Sequence, residues 1–250
     1  TTGSLTVTDA DEGESGTQIV TSAASDNGYG TYTVDANGTW TFDLDNTNVT
    51  VDALSEGVIL TDTFTVRTTD STPQQVTVTI TGKNDDASID AATVATGSVT
   101  EDSGVVASSA SGQVVVNDVD QGEAGTQAVT VPTEAVSGYG SYTVDTNGNW
   151  TYDINNAHPG VDALSVGLWL TDTFTVTSTD GRASQLVTVT IVGTNDAPVA
   201  VGDEIAMNEG DVSGSVNVLI NDTDVEGDAL TLGSITVPTK GSVDVNLNGD

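Results

Sequence analysis

The stretch GYGTYTVDANGTWTFDLDN at 28–46 returns as GYGSYTVDTNGNWTYDINN at 138–156. TGSLTVTDADEGESGTQ at 2–18 returns at 111–127, VDALSEGVILTDTFTV at 51–66 returns at 161–176, and VTVTITGKND at 76–85 returns at 187–196. All four pairs keep a spacing of about 110 residues. Repetition at a fixed period constrains a fold more than any composition does, because each copy must solve the same packing problem. A third copy starts after Pro198, where VNVLINDTDVEGD echoes GQVVVNDVDQGE. The pattern runs off both ends, which reads as a piece of something longer.

Within each copy the period is two. TYTVDANGTWTF alternates around Asn37-Gly38, and SYTVDTNGNWTY around Asn147-Gly148; both are expected to be hairpins closed by a type I′ turn. TDTFTV and VTVTIT are further half-buried strands, and the only helix-like pieces are VDALSEG and VDALSVG. About seven strands per copy predict a two-sheet antiparallel sandwich of immunoglobulin type. Trp40 and Trp150 fall on the alternating face as core aromatics. The expected class is therefore all-β, with sandwiches joined end to end: residues 1–86 as most of a first repeat, 87–197 as a complete second, and 198–250 as a truncated third.

Charge narrows the function. With 37 acidic and 4 basic residues, the formal net charge is −33. Nucleic acid and anionic membrane surfaces call for basic patches and are excluded as partners. A disordered acidic chain would need lower hydrophobicity than the 36% seen here. There is no cysteine, so neither disulfides nor thiolate metal sites are available. No apolar run is long enough to span a bilayer.

The charge is also bunched. Asp9, Asp11 and Glu14 crowd one turn, Asp118, Asp120 and Glu123 the matching turn, and Asp222, Asp224 and Asp228 the third. Two unit charges about 5 Å apart repel by roughly 3 kcal/mol at an effective dielectric near 20. A bundle of four would rival the whole stability of a small domain. A hard divalent cation offsets this, and Ca²⁺ suits a flexible cage of carboxylates and carbonyls better than Mg²⁺ does. The spacing does not fit an EF-hand, and the glycine-rich nonapeptide of parallel β-rolls is absent.

Counting strands along a sandwich puts Asp70 and Asp180 in a turn at the same end as these clusters. The linkers GKNDD and GTNDAP arrive there too. Asn84 and Asp85 are thus expected to meet Asp118 and Asp120, and Asn195 and Asp196 to meet Asp222 and Asp224. Glu101 and Asp172 are expected to face the following linker, with Asp62 in the equivalent place in the first copy; Glu209 extends the acidic set. The alternative is that these are solvated turn carboxylates, since Asp, Asn and Gly favour turns in any case.

GYGTYTVDANGTWTFDLDN, VDALSEG, LTDTFTVRTTD and VTVTITGKND together resemble the VCBS repeat of large surface adhesins of Gram-negative bacteria. NDTDVEGDALTL resembles the cadherin-like repeats of biofilm-associated (Bap-type) proteins, and TNDAP with NDVD is similar to the interdomain calcium motifs of cadherins. The resemblance implies calcium binding, type I secretion of an RTX-type adhesin, and an extracellular role as extender modules in biofilm or surface adhesion. Its implied partners are the neighbouring repeats of the same chain and, through other domains, a host or abiotic surface; the fragment itself is expected to be monomeric. KNDDA lacks the proline of TNDAP, a departure at the first linker.

Two further readings remain. A ligand-binding adhesive module gripping carbohydrate or peptide could use the Thr-rich strand faces and Trp169. An enzyme could use paired carboxylates, but His158 is the only histidine and has no counterpart in the first copy. No catalytic triad can be assembled, so an enzyme is not expected.

Overall fold

Alternating Thr and Val residues extend the backbone, since branched side chains pack well on a pleated surface. The structure, a computed structural model, describes residues 1–10, 13–102 and 108–245. The first copy supplies β1 (Thr2–Ser4), β2 (Val20–Ala24), β3 (Gly30–Val34), β4 (Thr39–Leu44), the one-turn helix α1 (Val49–Asp52), β5 (Ile59–Arg67) and β6 (Pro73–Thr81). After β7 (Ser88–Ile89), the second copy supplies β8 (Thr96–Thr100), β9 (Ser109–Gln113), β10 (Val116–Asn117), β11 (Val129–Glu134), β12 (Gly140–Val144) and β13 (Asn149–Ile154). It ends with α2 (Pro159–Asp162), β14 (Trp169–Thr177) and β15 (Ser184–Val192).

By contact the chain forms two units. Unit 1 is Thr1–Ala91 with Val115–Gln127 and Thr177–Ser184; unit 2 is Ala92–Val114 with Ala128–Val176 and Gln185–Asp250. This grouping differs from the bounds drawn on the repeats. The turns 115–127 and 177–184 join the first linker because its backbone amides donate to their carboxylates, Asp85 N to Asp120 at 2.7 Å and Ala87 N to Asp180 at 3.2 Å.

In unit 1 a four-stranded sheet runs β1-β4-β3-β2, and β5 pairs with β6. Their inner faces bury Val34, Phe42, Phe64, Val66, Val78 and Ile80, closed at one end by Val51 and Leu54 around α1. Phe64 is stacked on Tyr32 at 4.3 Å and meets the edge of Trp40 at 5.4 Å. Unit 2 repeats the plan with β11-β12-β13-β9 facing β14-β15-β8, and Phe174 meets Tyr142 and Trp150 in the same way. Both tryptophans lie on the core face, Trp150 fully buried and Trp40 half-buried. One pair departs from the antiparallel plan: β8 runs parallel to β15, with Thr96 opposite Thr188 and Thr100 opposite Val192. Parallel partners need a long crossover, and here most of a sandwich separates the two strands.

The hairpin turns are also not type I′. Only Gly38 takes positive φ, at 82°, and Asn37 does not. Asp35 N donates to Thr39 O, and the Asp35 carboxylate accepts from Asn37 N at 2.9 Å and Thr39 N at 2.8 Å. The loop is therefore the three-residue kind, a type I turn followed by a left-handed glycine, and Asp145 does the same before Gly148. His158 caps α2, accepting from Gly160 N at 3.0 Å where Asn48 serves α1. Beyond Val192 the described residues form no strand and only one bridge, Val199 to Thr223. Apolar side chains such as Val212, 98% exposed, have no facing sheet to bury them.

Asp62 and Asp172 are wholly buried. Asp62 Oδ1 accepts from Asn27 N and Thr63 N, and its Oδ2 from Ser25 Oγ and Tyr29 N. Asp172 Oδ1 accepts from Ser137 N and Thr173 N, and its Oδ2 from Tyr139 N and Tyr152 Oη. Each carboxylate thus has four donors, of which the loop it clamps supplies three to Asp62 and two to Asp172. Burial pushes the Asp62 carboxyl up, but the donors, led by Ser25, outweigh it and hold the group below its ordinary range. The Tyr152 hydroxyl is pushed far up by burial and then by the Asp172 charge, so it stays a donor. The hydroxyl comes from different places in the two copies: Ser25 with Phe42 in the first, Tyr152 with Ala135 in the second.

Tyr152→Phe should therefore cost about 1.5–3 kcal/mol, the worth of a buried hydrogen bond to a charged group. Adding Ala135→Ser should recover much of that loss. Urea unfolding of the single and double variants checks both, and a double variant no more stable than Tyr152→Phe alone would contradict the exchange.

Candidate metal centre

In unit 2 the residue that follows β8 is Glu101, which is fully buried beside the linker that leaves β15. Glu101 Oε1 accepts from Thr194 N at 2.5 Å and Thr194 Oγ1 at 2.9 Å. Its other oxygen, Oε2, has no donor, although it is buried. Asp102 and Asp196 bring carboxylate oxygens to within 4.8 Å of Glu101 and of each other. Asp102 holds φ at 38°, a left-handed conformation that Asp tolerates better than most side chains do but that still stores strain. Asp196 N donates to Glu226 Oε1 at 2.7 Å, which draws a fourth carboxylate to the place. Asp196 Oδ2 and Glu226 Oε2 are likewise buried without a donor.

Such orphans are rare in folded proteins. At about 5 Å each pair of these charges repels by roughly 3 kcal/mol at an effective dielectric near 20. The Asp196 carboxyl answers that repulsion: burial first, then Asp102, Glu101 and Glu226, push its pKa up to about 6. The donor set is hard anionic oxygen, which suits Ca²⁺ and no soft metal.

Unit 1 builds a related arrangement around the first linker. Asp120 is buried; its Oδ2 takes Asp85 N, its own N donates to Asp118 Oδ1 at 2.8 Å, and its Oδ1 is left without a donor. Asp118 Oδ2 is a second orphan. Asp180 receives Ala87 N, Ser178 Oγ and Arg182 N, and the Asn84 side chain donates to it as well. Burial pushes the Asp180 carboxyl up, but these donors hold it below its ordinary range. Asn84 N donates to Glu56 at 3.1 Å.

Asp85 thus meets the Asp118–Asp120 turn, whereas Asn84 turns to Glu56 and Asp180 instead. The second linker also reaches its turn, with Asp196 and Asp224 lining one cleft, but a further carboxylate joins it there. Asp196 is hydrogen-bonded to Glu226, while Asp222 accepts from Val201 N, Asp224 from Asp228 N, and Asn195 shares with all three a cleft of about 390 Å³. Glu123 is half-buried, with its N donating to Asp120 O. Asp70 takes the hydroxyls of Thr68 and Thr72. Asp9, Glu14 and Glu209 are exposed, and Asp11 lies outside the described residues. Asp62 and Asp172 correct the expectation most clearly, for the four acceptor positions of each are all taken, by donors from the loop it clamps and from neighbouring strands. Glu226 and Asp102 were not anticipated. Asp102 directly follows Glu101 in the sequence, a signal that was there to use; Glu226 sits in a turn whose spacing differs from the second copy's.

Residues 84–193 match the family described as the bacterial cadherin-like domain, and residues 195–250 match the bacterial Ig domain. No curated protein matches the chain. Among solved structures, the protocadherin gamma-B4 extracellular domain shares 13% identity over 79% of this chain, with a TM-score of 0.38. The first four extracellular domains of protocadherin gamma-B7 share 12% over 86%, at 0.37, and those of Drosophila N-cadherin 12% over 78%, at 0.34. The chain spans 31%, 52% and 45% of those three chains, and likeness at such scores carries no argument about this one. Among the described residues, no helix is long and apolar enough to cross a membrane.

A raised carboxyl pKa means that the folded state binds the proton more tightly than the unfolded chain does. The stability it contributes is fully present below the ordinary carboxyl pKa of 3.8 and is lost as pH rises through about 6. In EDTA, the unfolding of unit 2 should shift to lower temperature as pH rises from about 4.5 to 7. With Asp196→Asn that slope should flatten. Calorimetric melts across this range check it; a slope indifferent to the substitution would contradict the assignment.

Proposed function

We propose that the chain is part of the extender region of a secreted bacterial surface adhesin, stiffened by Ca²⁺ bound where linkers meet the turns of the repeats. The repeats are those drawn from the sequence, residues 1–86, 87–197 and 198–250. The observation that supports this most is the set of buried carboxylate oxygens without donors at the second linker, on Glu101, Asp196 and Glu226. Glu101, Asp102, Asp196 and Glu226 would hold one ion; Asp85, Asp118 and Asp120, with Asp180 and Asn84 beside them, would hold another. A divalent cation turns the mutual repulsion of these groups into attraction and ties each linker down.

Ca²⁺ is scarce in cytoplasm and abundant outside cells, so the same chemistry suits a chain that passes through a type I exporter unfolded and folds beyond the cell. At free Ca²⁺ about a hundred times the dissociation constant, each site adds about 2.7 kcal/mol to stability. A Gram-negative origin, a role in biofilm and an extracellular location all accord with the bacterial cadherin-like match over 84–193. Cadherin-like and Ig-like modules are scaffolds rather than catalysts.

A second reading has one observation behind it. Trp169 is 66% exposed, next to the exposed Leu168 and Val166, a patch suited to stacking on a sugar or peptide. Binding on a glycan array that is lost in Trp169→Ala would favour an adhesive module.

The principal test is a melt in Ca²⁺ against a melt in EDTA, with calorimetric titration. We expect a large rise in melting temperature with Ca²⁺. Glu101→Gln with Asp196→Asn should weaken binding at the second linker by roughly tenfold or more, since charge count sets affinity in such cages. A melting temperature indifferent to chelation would overturn the proposal.

A further inference from the structure

The two sheets of unit 2 turn different outer faces to solvent. On the four-stranded sheet Asp153 lies opposite Ser141, and Ser141 opposite Glu134, so one row carries two exposed carboxylates. Thr143 and Thr151 on that face pair their own hydroxyls at 2.7 Å. On the three-stranded sheet Val189 and Ile191 face the core, so Thr188 with its partner Thr96, and Thr190 with its partner Ser98, face outward. On β14 the buried Asp172, Phe174 and Val176 leave Trp169, Thr171, Thr173 and Thr175 on the outer side. None of these outward positions is charged, in a chain with 37 acidic residues. Unlike the Thr143–Thr151 pair, the hydroxyls of Thr171, Thr173, Thr188 and Thr190 enter no hydrogen bond among the described residues. Trp169, 66% exposed, stands at the end of the β14 row. Outward threonines recur in unit 1, Thr61 opposite Thr79 and Thr63 opposite Thr77, but Ile59 stands where Trp169 does.

The missing charge decides the class of ligand. A charged group brought to this face finds no countercharge, and the net charge of −33 repels polyanions before they reach it. A peptide seeks an open strand edge or an apolar pocket, and a carpet of hydroxyls is neither. An uncharged ligand rich in hydroxyls fits: threonine hydroxyls both donate and accept, and an indole takes the flat apolar face of a sugar ring. The hydroxyls repeat about 4.8 Å across the strands and about 6.7 Å along them, on the scale of one such ring. We propose that the outer face of the β14-β15-β8 sheet binds a neutral polysaccharide chain in extended form. Trp169 stacks on one sugar ring, and the threonine rows hydrogen-bond the rings that follow. The face rests on the adhesive-module reading of Trp169 above, widens it from one side chain to a sheet, and narrows the ligand to sugar; it needs no Ca²⁺.

The probes are hydroxyethyl cellulose, cast into a native gel, and cellohexaose, titrated by calorimetry against the full chain. We expect retardation in the gel and saturable binding of the oligosaccharide, equal in EDTA and in Ca²⁺. Salt at about 0.5 M, which screens exposed charges, should leave both unchanged. Trp169→Ala should weaken binding by roughly tenfold or more. Thr171→Asp and Ser98→Asp, both at exposed positions, should do the same, whereas Ser111→Asp on the opposite sheet should change nothing. Thermal melts of each variant check that it is folded. Binding of neither probe overturns the proposal and the sugar reading of Trp169 with it. Binding only of a charged polysaccharide such as alginate, or only of neutral peptides on an array, overturns it as well. A loss in Ser111→Asp equal to that in Thr171→Asp reduces the effect to net charge and has the same consequence. Loss in Trp169→Ala with no change in Thr171→Asp or Ser98→Asp overturns the face but leaves Trp169 standing as an isolated sugar contact.

Discussion

A buried carboxylate must find donors, lose its charge or bind a cation, and this chain uses the rule in two opposite ways. Asp62 and Asp172 are buried and saturated, four donors apiece, and hold a loop against the core. Glu101 is just as buried, yet one of its oxygens faces other carboxylates with nothing to donate. The two kinds of site belong to the same sandwich and use the same residue chemistry. What separates them is whether backbone amides converge on the group, as they do at the Ser137–Tyr139 loop, or whether the group stands at a strand end where the chain leaves for the next repeat.

That difference explains what could be read from the letters. The alternation in TYTVDANGTWTF placed β3, β4 and the core face of Trp40 without further help, because a period of two admits only one pleated solution. The same alternation could have removed Asp172 from the acidic set. In LTDTFTV it shares parity with Phe174 and Val176, and so points inward with them. The turn type was misread because Asn-Gly serves two hairpin geometries, and the Asp35 side chain, which selects the longer one, lies outside the dipeptide.

Other features were not legible at all. Nothing in TGSVT announces that it runs parallel to its partner, since strand direction leaves no mark on a pattern of alternation. The meeting of Asp196 with Glu226 rather than with Asp222 depends on the path of the loop, which charge spacing does not encode. The echoes beyond Pro198 foretold strands that the described residues do not form.

The two copies also hold their clamps with hydroxyls from different residues, serine beside phenylalanine in one and tyrosine beside alanine in the other. A sandwich spliced from the two copies, with the join between these two positions, comes in only two sorts. One joins alanine to phenylalanine and leaves the aspartate a donor short; the other joins serine to tyrosine and crowds two hydroxyls onto one oxygen. The two copies are therefore not interchangeable piecewise: each half of a sandwich fits the partner residue of its own copy.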